Sequence, residues 1–254
     1  MTFGRNLIGM SIDDEDDLVA LKRVGAVVAK ARDTMASHVA AGVTTAELDE
    51  VGRDVLRRHG ARSAPQLAYR FPGVTCISVN DEIAHGIPSQ RVLREGDLVN
   101  IDVSAELDGY WADSGASFAV GEVSPRARAL LSSTRAALHD AIAEVRAGAP
   151  LRNIGRAVER RAQRSGFRVV RNLCGHGVGR HIHEEPQIPN TYDRNNHLLL
   201  HEGLVMTIEP FFTTGATRAV ESDDGWTLRT PDGSIGAQFE HTMVVTRGEA
   251  IIIT

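Results

Sequence analysis

The segment Glu95-Gly-Asp-Leu-Val-Asn-Ile-Asp102 has a counterpart later in the chain, Glu202-Gly-Leu-Val-Met-Thr-Ile-Glu209. In both segments an acid and a glycine precede a short apolar run, and a carboxylate follows the glycine by six residues. Short apolar runs bounded by turn residues are typical of buried strands. The repeat therefore predicts two related strands that carry an acid at the equivalent position.

Further matches extend this repeat over most of the chain. Ala-Gly at 41–42 matches Ala-Gly at 147–148, and Asp113 with the apolar run after it matches Glu240 with its own run. Apolar positions that recur every three or four residues predict helices, and Thr45 is the expected cap of the second. The predicted helices span residues 14–41, 45–60, 124–145 and 151–166, and the predicted strands span residues 74–79, 98–103 and 116–120.

Segments that match in the same order indicate a duplication, with halves at about 14–121 and 124–248. Each half would consist of two helices followed by antiparallel strands. We expect the halves to pair about a pseudo-two-fold axis, with a curved antiparallel sheet backed by the helices. The fold class is therefore α+β, in a single catalytic domain over 1–254 that begins with a flexible segment at about 1–13.

The duplication pairs Asp102 with Glu209 and Asp113 with Glu240, on equivalent strands. Each acid alone is most simply a solvated strand residue, but a symmetric set of four buried carboxylates requires protonation or a cation. The segment Cys174-Gly-His-Gly-Val-Gly adds His176, which alone would more often be structural. One imidazole beside four carboxylates favours Mn, Fe(II), Co or Zn, and such a set can hold two cations.

Composition narrows the function classes. The 254 residues are 42% hydrophobic and 24% charged, which excludes a disordered chain. The net charge of −5 gives no sign of a dedicated nucleic-acid binder, and two cysteines, Cys76 and Cys174, suit a reducing compartment. No apolar run reaches the roughly 18 residues of a spanning helix, and the N-terminus lacks a signal-peptide core. We expect a soluble, cytoplasmic monomer with no membrane contact.

Taken together, six motifs resemble the type I methionine aminopeptidases, which have the pita-bread fold, and the resemblance covers the chain from about Asp14 to Thr254. The motifs are Cys76-Ile-Ser-Val-Asn, His85-Gly-Ile-Pro, Asn100-Ile-Asp-Val with Asp108-Gly and Asp113, Gly175-His-Gly-Val-Gly-Arg with His183-Glu-Glu-Pro, Thr207-Ile-Glu-Pro, and Gln238-Phe-Glu-His-Thr. The resemblance implies a metalloexopeptidase that removes the initiator methionine from nascent proteins and peptides whose second residue is small.

The resemblance also implies roles for particular residues. The five metal ligands would be Asp102, Asp113, His176, Glu209 and Glu240, with Asp113 and Glu240 bridging two divalent ions. An activated water between these ions would attack the scissile carbonyl, and Glu209 would take its proton. His183 would stabilise the carbonyl oxygen, and His85 would contact the scissile amide nitrogen. His181 and His241 are expected to have outer-shell or structural roles.

The pocket for the methionine side chain departs from the family pattern. Phe71, Cys76 and Trp226 occupy the family's aromatic, cysteine and tryptophan positions. Four residues differ from the usual ones, although the neighbouring Tyr69 could compensate for a missing tyrosine: they are Pro65, Ala68, Leu173 and Ile182. A ring or methylene contact is worth roughly 1 to 3 kcal/mol, so we expect relaxed selectivity with methionine still preferred.

Other readings stay open on the sequence alone. A related pita-bread aminopeptidase with a different N-terminal preference, or a prolidase-like enzyme, would use similar ligands. Prolidases usually carry an additional N-terminal domain, and type II methionine aminopeptidases carry an insertion before the glutamate that matches Glu209. A metal-free binding module is the least favoured alternative, because all five ligand positions are intact.

A basic helix face could also bind a partner. Arginines recur every fourth residue at Arg152, Arg156, Arg160 and Arg164. Such a face is most often solvated, but clustered arginines can also bind phosphates. The more specific hypothesis is that these arginines make a transient contact with ribosomal RNA near the site where nascent chains emerge.

Overall fold

The structure is a computed structural model that describes residues 12–254. Its helices are α1 (Glu15–Ser37), α2 (Thr45–Arg58), α3 (Ala64–Tyr69), α4 (Pro125–Ile142) and α5 (Arg152–Ser165). Its strands are β1 (Arg62–Ser63), β2 (Cys76–Val79), β3 (Glu82–Ala84), β4 (Leu98–Leu107), β5 (Tyr110–Ala119), β6 (Arg168–Val169), β7 (Cys174–Gly177), β8 (Glu184–Pro189), β9 (Val205–Ile208), β10 (Phe211–Thr213), β11 (Val220–Glu221), β12 (Leu228–Arg229), β13 (Gly236–Gln238), β14 (His241–Val244) and β15 (Ile251–Ile252). The long helices α1, α2, α4 and α5 all lie within the predicted ranges.

Capping side chains fix where the first two helices begin. The Asp14 side chain accepts a hydrogen bond from the amide of Asp17 and so starts α1. Thr44 caps α2, because its side chain and that of Glu47 bond reciprocally to backbone amides in a capping box. The prediction of Thr45 as this cap was therefore wrong by one residue. The Thr45 hydroxyl donates to the carbonyl of Ser89 instead.

The strands of the two halves are arranged in the same order. In the first half, β4 pairs with β2 on one side and with β5 on the other. In the second half, β9 pairs with β7 and with β14, and all of these pairings are antiparallel. Strand β5 begins well before the predicted residue 116, so Asp113 lies inside the strand rather than ahead of it.

The two halves join beside the acidic residues. The Glu240 amide donates to the carbonyl of Gly115 at 2.8 Å, and the Thr242 hydroxyl bonds both backbone groups of Asp113. Core residues from the second half, among them Val178 and Val205, pack in the cluster under α1. This shared core supports a single domain, although the domain assignment itself stays a prediction.

The predicted flexible segment at 1–13 lies mostly outside the described residues, which exclude 1–11. Ile12 is buried in the core, and its amide donates to the carbonyl of Gly203 at 3.0 Å. The chain is thus already anchored at Ile12. Among the helices of residues 12–254, none has the length and apolarity required to cross a lipid bilayer.

Candidate metal centre

The two acids of the first half lie on adjacent strands. Asp102 is opposite Gly115 in the pairing of β4 with β5, and Asp113 is opposite Ser104. Residues offset by two positions across an antiparallel pair share one face of the sheet, so the two carboxyl groups converge. The two carboxyl groups lie within hydrogen-bond reach of one another. They form the half of the site that the first repeat supplies.

The second half brings Glu209, Glu240 and His176 to the same place. Glu209 directly follows β9, Glu240 directly precedes β14, and His176 lies within β7. One ligand atom each from Asp113, His176 and Glu240 lies within 4.8 Å of the others. Nε2 of His176 is 3.8 Å from Oδ2 of Asp113 and 3.8 Å from Oε1 of Glu209. The described structure thus gathers all five predicted ligands, with Asp102 joined to the group through Asp113 and Glu209 through His176.

Glycines allow β7 to run close to its neighbours at this point. A Cβ on Gly175 would lie 2.4 Å from the carbonyl oxygen of Thr207, and one on Gly177 would lie 2.3 Å from that of Glu185. Nδ1 of His176 donates to the carbonyl of Gly177 at 2.9 Å. Because that nitrogen carries the proton, Nε2 is left as the lone-pair donor that faces the carboxylates.

Burial makes this cluster unfavourable without a cation. Asp113 and Glu240 are 7% and 1% exposed, and burial together with the neighbouring carboxylates raises the pKa of both well above the usual range. Burial likewise raises the pKa of Glu209 and lowers that of His176 to about 3. Among the described residues, Oδ1 of Asp113 and Oε1 of Glu240 have no hydrogen-bond partner. Oxygen and imidazole donors that lack partners fit a divalent cation.

A chain of buried amides orients one of these carboxylates. Nδ2 of Asn100 donates to Oε1 of Gln238 at 2.7 Å, and Nε2 of Gln238 donates to Oε2 of Glu240 at 2.9 Å. Gly115 leaves space for the amide, since a Cβ there would lie 2.2 Å from Gln238. No role for these two hydrogen-bonded amides was predicted from the sequence. The motif that contains Gln238 was visible, but its contact with Asn100 joins residues 138 positions apart.

Two further histidines lie at the mouth of the cluster. His85 follows β3 with a left-handed backbone, φ 56°, and His183 directly precedes β8. The His183 ring packs edge-on against the His176 ring with centroids 4.3 Å apart. Loss of surrounding water lowers the pKa of both His85 and His183, so both are neutral bases or donors near pH 7.

An apolar cavity of about 260 Å³ opens beside Asp102 and Asp113. Phe71 and Trp226 meet edge to face at its wall, with ring centroids 5.3 Å apart. Its lining also includes Cys76, Ile182, Pro65, Tyr69, His85 and His183. This volume lies just below the range of about 300–1,000 Å³ for small-molecule sites, so it suits one side chain.

A second cavity of about 450 Å³ meets the first at His85 and His183. His176 and Glu209 line it, and so does Leu173. The structure therefore separates Leu173 from Ile182 and Pro65, which line the apolar cavity. Ala68 lines neither cavity, so the sequence analysis was wrong to group all four departures in one pocket.

The remaining two histidines singled out in the sequence, His181 and His241, line neither of these two cavities. His181 is exposed, and its amide donates to Glu184. The His241 ring bonds the hydroxyl of Thr254 and lines a separate cavity of about 680 Å³. In the described part of the chain neither ring forms a hydrogen bond or ion pair with the five predicted ligands, and the roles of the two histidines stay predictions.

Three of the four arginines on the basic face of α5 contact other residues of the fold. Arg164 pairs with Asp140 at 3.5 Å, and Arg152 donates to backbone carbonyls of the 194–196 loop. The Arg156 guanidinium lies over the ring of Tyr192. Arg160 is exposed and, among the described residues, has no recorded partner.

Comparison with known proteins identifies relatives over nearly the whole chain. Metallopeptidase family M24 matches residues 19–247. Methionine aminopeptidase 2 of Bacillus subtilis is 47% identical over 96% of this chain and 99% of its own. A methionine aminopeptidase of Staphylococcus epidermidis is 46% identical over 96% of this chain and 98% of its own.

Solved structures agree with these relatives. The methionine aminopeptidase of Rickettsia prowazekii superposes with a TM-score of 0.93 at 38% identity, covering 98% of this chain and all of that one. The prolidase of Pyrococcus furiosus gives a TM-score of 0.76 at 21% identity, covering 96% of this chain and 65% of that one. The second match shows a shared fold alone, and together they establish the α+β pita-bread architecture.

Proposed function

The chain belongs to metallopeptidase family M24, and we propose that it is a methionine aminopeptidase. It would remove the N-terminal methionine from peptides and nascent proteins whose second residue is small. The observation that carries this proposal is the buried cluster of Asp113, His176 and Glu240, which opens directly into a cavity of one side chain's size. The relatives at 46–47% identity support methionine as the residue removed.

The cluster is proposed to hold two divalent cations, with Co, Mn, Fe(II) and Zn all compatible with its donors. Asp113 and Glu240 would contact both ions, Asp102 would complete one site, and His176 with Glu209 would complete the other. Bound cations of this kind lower the pKa of water and polarise a carbonyl group. Two contacts support this division: Asp102 lies within hydrogen-bond reach of Asp113, and Glu209 lies 3.8 Å from His176.

The remaining chemistry belongs to side chains around the cluster. Glu209, which lines the cavity on the His176 side of the cluster, would accept the proton of the attacking water. His183 would donate a hydrogen bond to the carbonyl oxygen, and His85 would contact the amide nitrogen and help protonate the leaving amine. Phe71, Cys76 and Trp226 would enclose the methionine side chain.

Two finer aspects complete the proposal. We infer a cytoplasmic location, where nascent chains are available as substrates. A transient ribosome contact through Arg152, Arg156, Arg160 and Arg164 remains part of it, with Arg160 the arginine best placed to reach a phosphate. Arg160→Glu should lower co-sedimentation with ribosomes at low salt. Unchanged co-sedimentation of the fourfold Arg→Glu variant would contradict the contact.

The test is a peptide panel with each metal in turn. Chelator-treated protein is reconstituted separately with Mn, Fe(II), Co and Zn, and free amino acid is measured from Met-Ala-Ser, Leu-Ala-Ser and a Gly-Pro peptide. We expect methionine to be released fastest, and N-acetyl-Met-Ala-Ser to resist cleavage. Faster release of leucine, or cleavage confined to the bond before proline, would overturn the proposal. Asp113→Ala should abolish release with every metal.

A further inference from the structure

We propose that Tyr69 is a positioning residue whose hydroxyl holds the His183 ring in the tautomer that presents an N–H to the substrate carbonyl. The inference rests on the proposed function, because it concerns how His183 performs its role there. Tyr69 would not touch the scissile bond itself. It would act on the reaction only through the imidazole.

The contact joins two separate parts of the fold. The Tyr69 hydroxyl lies within hydrogen-bond distance of Nδ1 of His183, and the two ring centroids are 5.5 Å apart at an interplanar angle of 45°. The His183 ring also packs against the His176 ring, with ring centroids 4.3 Å apart. Two neighbours therefore restrict a ring that lies at the exposed mouth of the centre.

The direction of this hydrogen bond determines the tautomer. Partial burial raises the pKa of the Tyr69 phenol, so the hydroxyl keeps its proton at neutral pH. A neutral imidazole carries one N–H, and if Nδ1 accepts from the phenol then Nε2 must carry it. Neither Tyr69 nor His183 has another recorded hydrogen-bond partner among residues 12–254. The phenol is thus the one described group that biases the ring toward Nε2–H.

The local chain is built to place this hydroxyl. Ser63 caps helix α3, because its side chain accepts from the amide of Gln66, and the helix ends at Tyr69. Arg70 then takes a left-handed conformation, φ 59°, and turns the chain sharply. Tyr69 and Phe71 both line the apolar cavity, and the Tyr69 hydroxyl also reaches His183.

A plain wall role for Tyr69 makes a different prediction. A wall residue would change KM through loss of contact with the side chain that is bound, and removal of one hydroxyl would change it little. Loss of a positioning hydrogen bond lowers kcat instead, because the interaction matters when charge develops on the carbonyl oxygen. Tyr69→Phe separates these cases, since it keeps the ring and removes only the hydroxyl.

The test combines a spectroscopic and a kinetic measurement on Tyr69→Phe. Zinc-loaded protein with ¹⁵N-labelled histidine gives the tautomer of each ring from its nitrogen shifts, and the His183 signals are assigned by their loss in His183→Gln. We expect Nε2–H to dominate for His183 in the native protein and to fall in Tyr69→Phe. We also expect kcat on Met-Ala-Ser to fall roughly 3- to 10-fold with KM nearly unchanged.

The matched control is Tyr192→Phe. Tyr192 is 42% exposed against 46% for Tyr69, and its hydroxyl has no recorded partner in the described part of the chain. This control should change neither the tautomer nor kcat. An unchanged His183 tautomer in Tyr69→Phe, or an effect on KM alone, would overturn the inference. The nitrogen shifts require no substrate, so they decide the role of Tyr69 even if Met-Ala-Ser proves not to be cleaved.

Discussion

Replacing Asp113 with asparagine is expected to stabilise the metal-free protein and to remove its stabilisation by divalent cations. The Asp113 carboxylate is 7% exposed, and its Oδ1 has no partner among the described residues. A buried polar atom left without a partner costs about 1–3 kcal/mol, and more when it is charged. An asparagine has nearly the same shape, carries no charge, and can donate to the neighbouring carboxylates.

The magnitude follows from this penalty. Recovery of about 1–3 kcal/mol, at about 2–4 °C for each kcal/mol in a chain of this size, raises the melting temperature of the metal-free protein by about 2–12 °C at pH 8. With Mn²⁺ the order reverses, since the native protein gains stability by binding and the variant has lost a ligand.

The pH dependence has a definite sign. Burial and the charges of Glu240 and Asp102 raise the pKa of Asp113 in the folded chain. Such a group contributes its stability fully below the ordinary value of 3.8 and loses it as the pH rises through the folded value. The advantage of Asp113→Asn over the native protein is thus largest at pH 8 and smaller at pH 5.

The assay is thermal unfolding with chelator and with Mn²⁺ at both pH values. Asp108→Asn is the control, because Asp108 is 62% exposed and, within residues 12–254, forms an ion pair with Arg23 alone. A chelated Asp113→Asn protein that melts below the native protein at pH 8 would refute the reasoning. It would mean that the carboxylate is stabilising without a cation.

Three further variants test other parts of the account. Asp17→Asn removes the negative charge from the group that accepts hydrogen bonds from Tyr110 and Arg180, so urea unfolding at pH 7 should show a loss of about 1.5–3 kcal/mol. The pKa of Asp17 is lowered, so this difference should vanish as the pH falls below 3.8. Gly175→Ala places a Cβ 2.4 Å from a carbonyl oxygen of β9, and should cost about 1–3 kcal/mol in thermal unfolding and weaken Mn²⁺ binding. Ile182→Ala enlarges the apolar cavity and should improve cleavage of Phe-Ala-Ser relative to Met-Ala-Ser by about 10-fold.

Each of these variants has a control or a contradicting result. A constant Asp17→Asn difference between pH 7 and pH 3 would contradict the charged hydrogen bonds. Gly248→Ala is the control for Gly175→Ala, since its nearest recorded neighbour is 3.9 Å away. Leu173→Ala should leave the preference for the first residue unchanged, because Leu173 lines the other cavity. A shift as large as that of Ile182→Ala would contradict the separation of the two cavities.

The duplication explains why the grouping of the four acids at the candidate metal centre could be predicted from the sequence. Equivalent strands place equivalent acids together, so Asp102 with Glu209 and Asp113 with Glu240 could be paired before any coordinates. The helices could be predicted for a different reason: the apolar periodicity that marks a helix lies within the segment itself. The start of β5 could not be predicted, since its first residues are held by pairing with β4 rather than by their own pattern.

Contacts between distant segments escaped the sequence analysis. The hydrogen bond from Asn100 to Gln238 and the one between Tyr69 and His183 depend on how strands and loops pack, which no local spacing encodes. The same limit explains why Leu173 was grouped with Ile182. Leu173 directly precedes the Cys-Gly-His-Gly motif and Ile182 follows it, but the two residues line different cavities.

The most direct test of the central claim is an anomalous-scattering map from crystals grown with Mn²⁺. We expect two anomalous peaks, both in contact with Asp113 and Glu240. One peak should also contact Asp102, and the other should contact His176 and Glu209. A single peak, or peaks away from these five side chains, would contradict the claim that they form a two-metal centre.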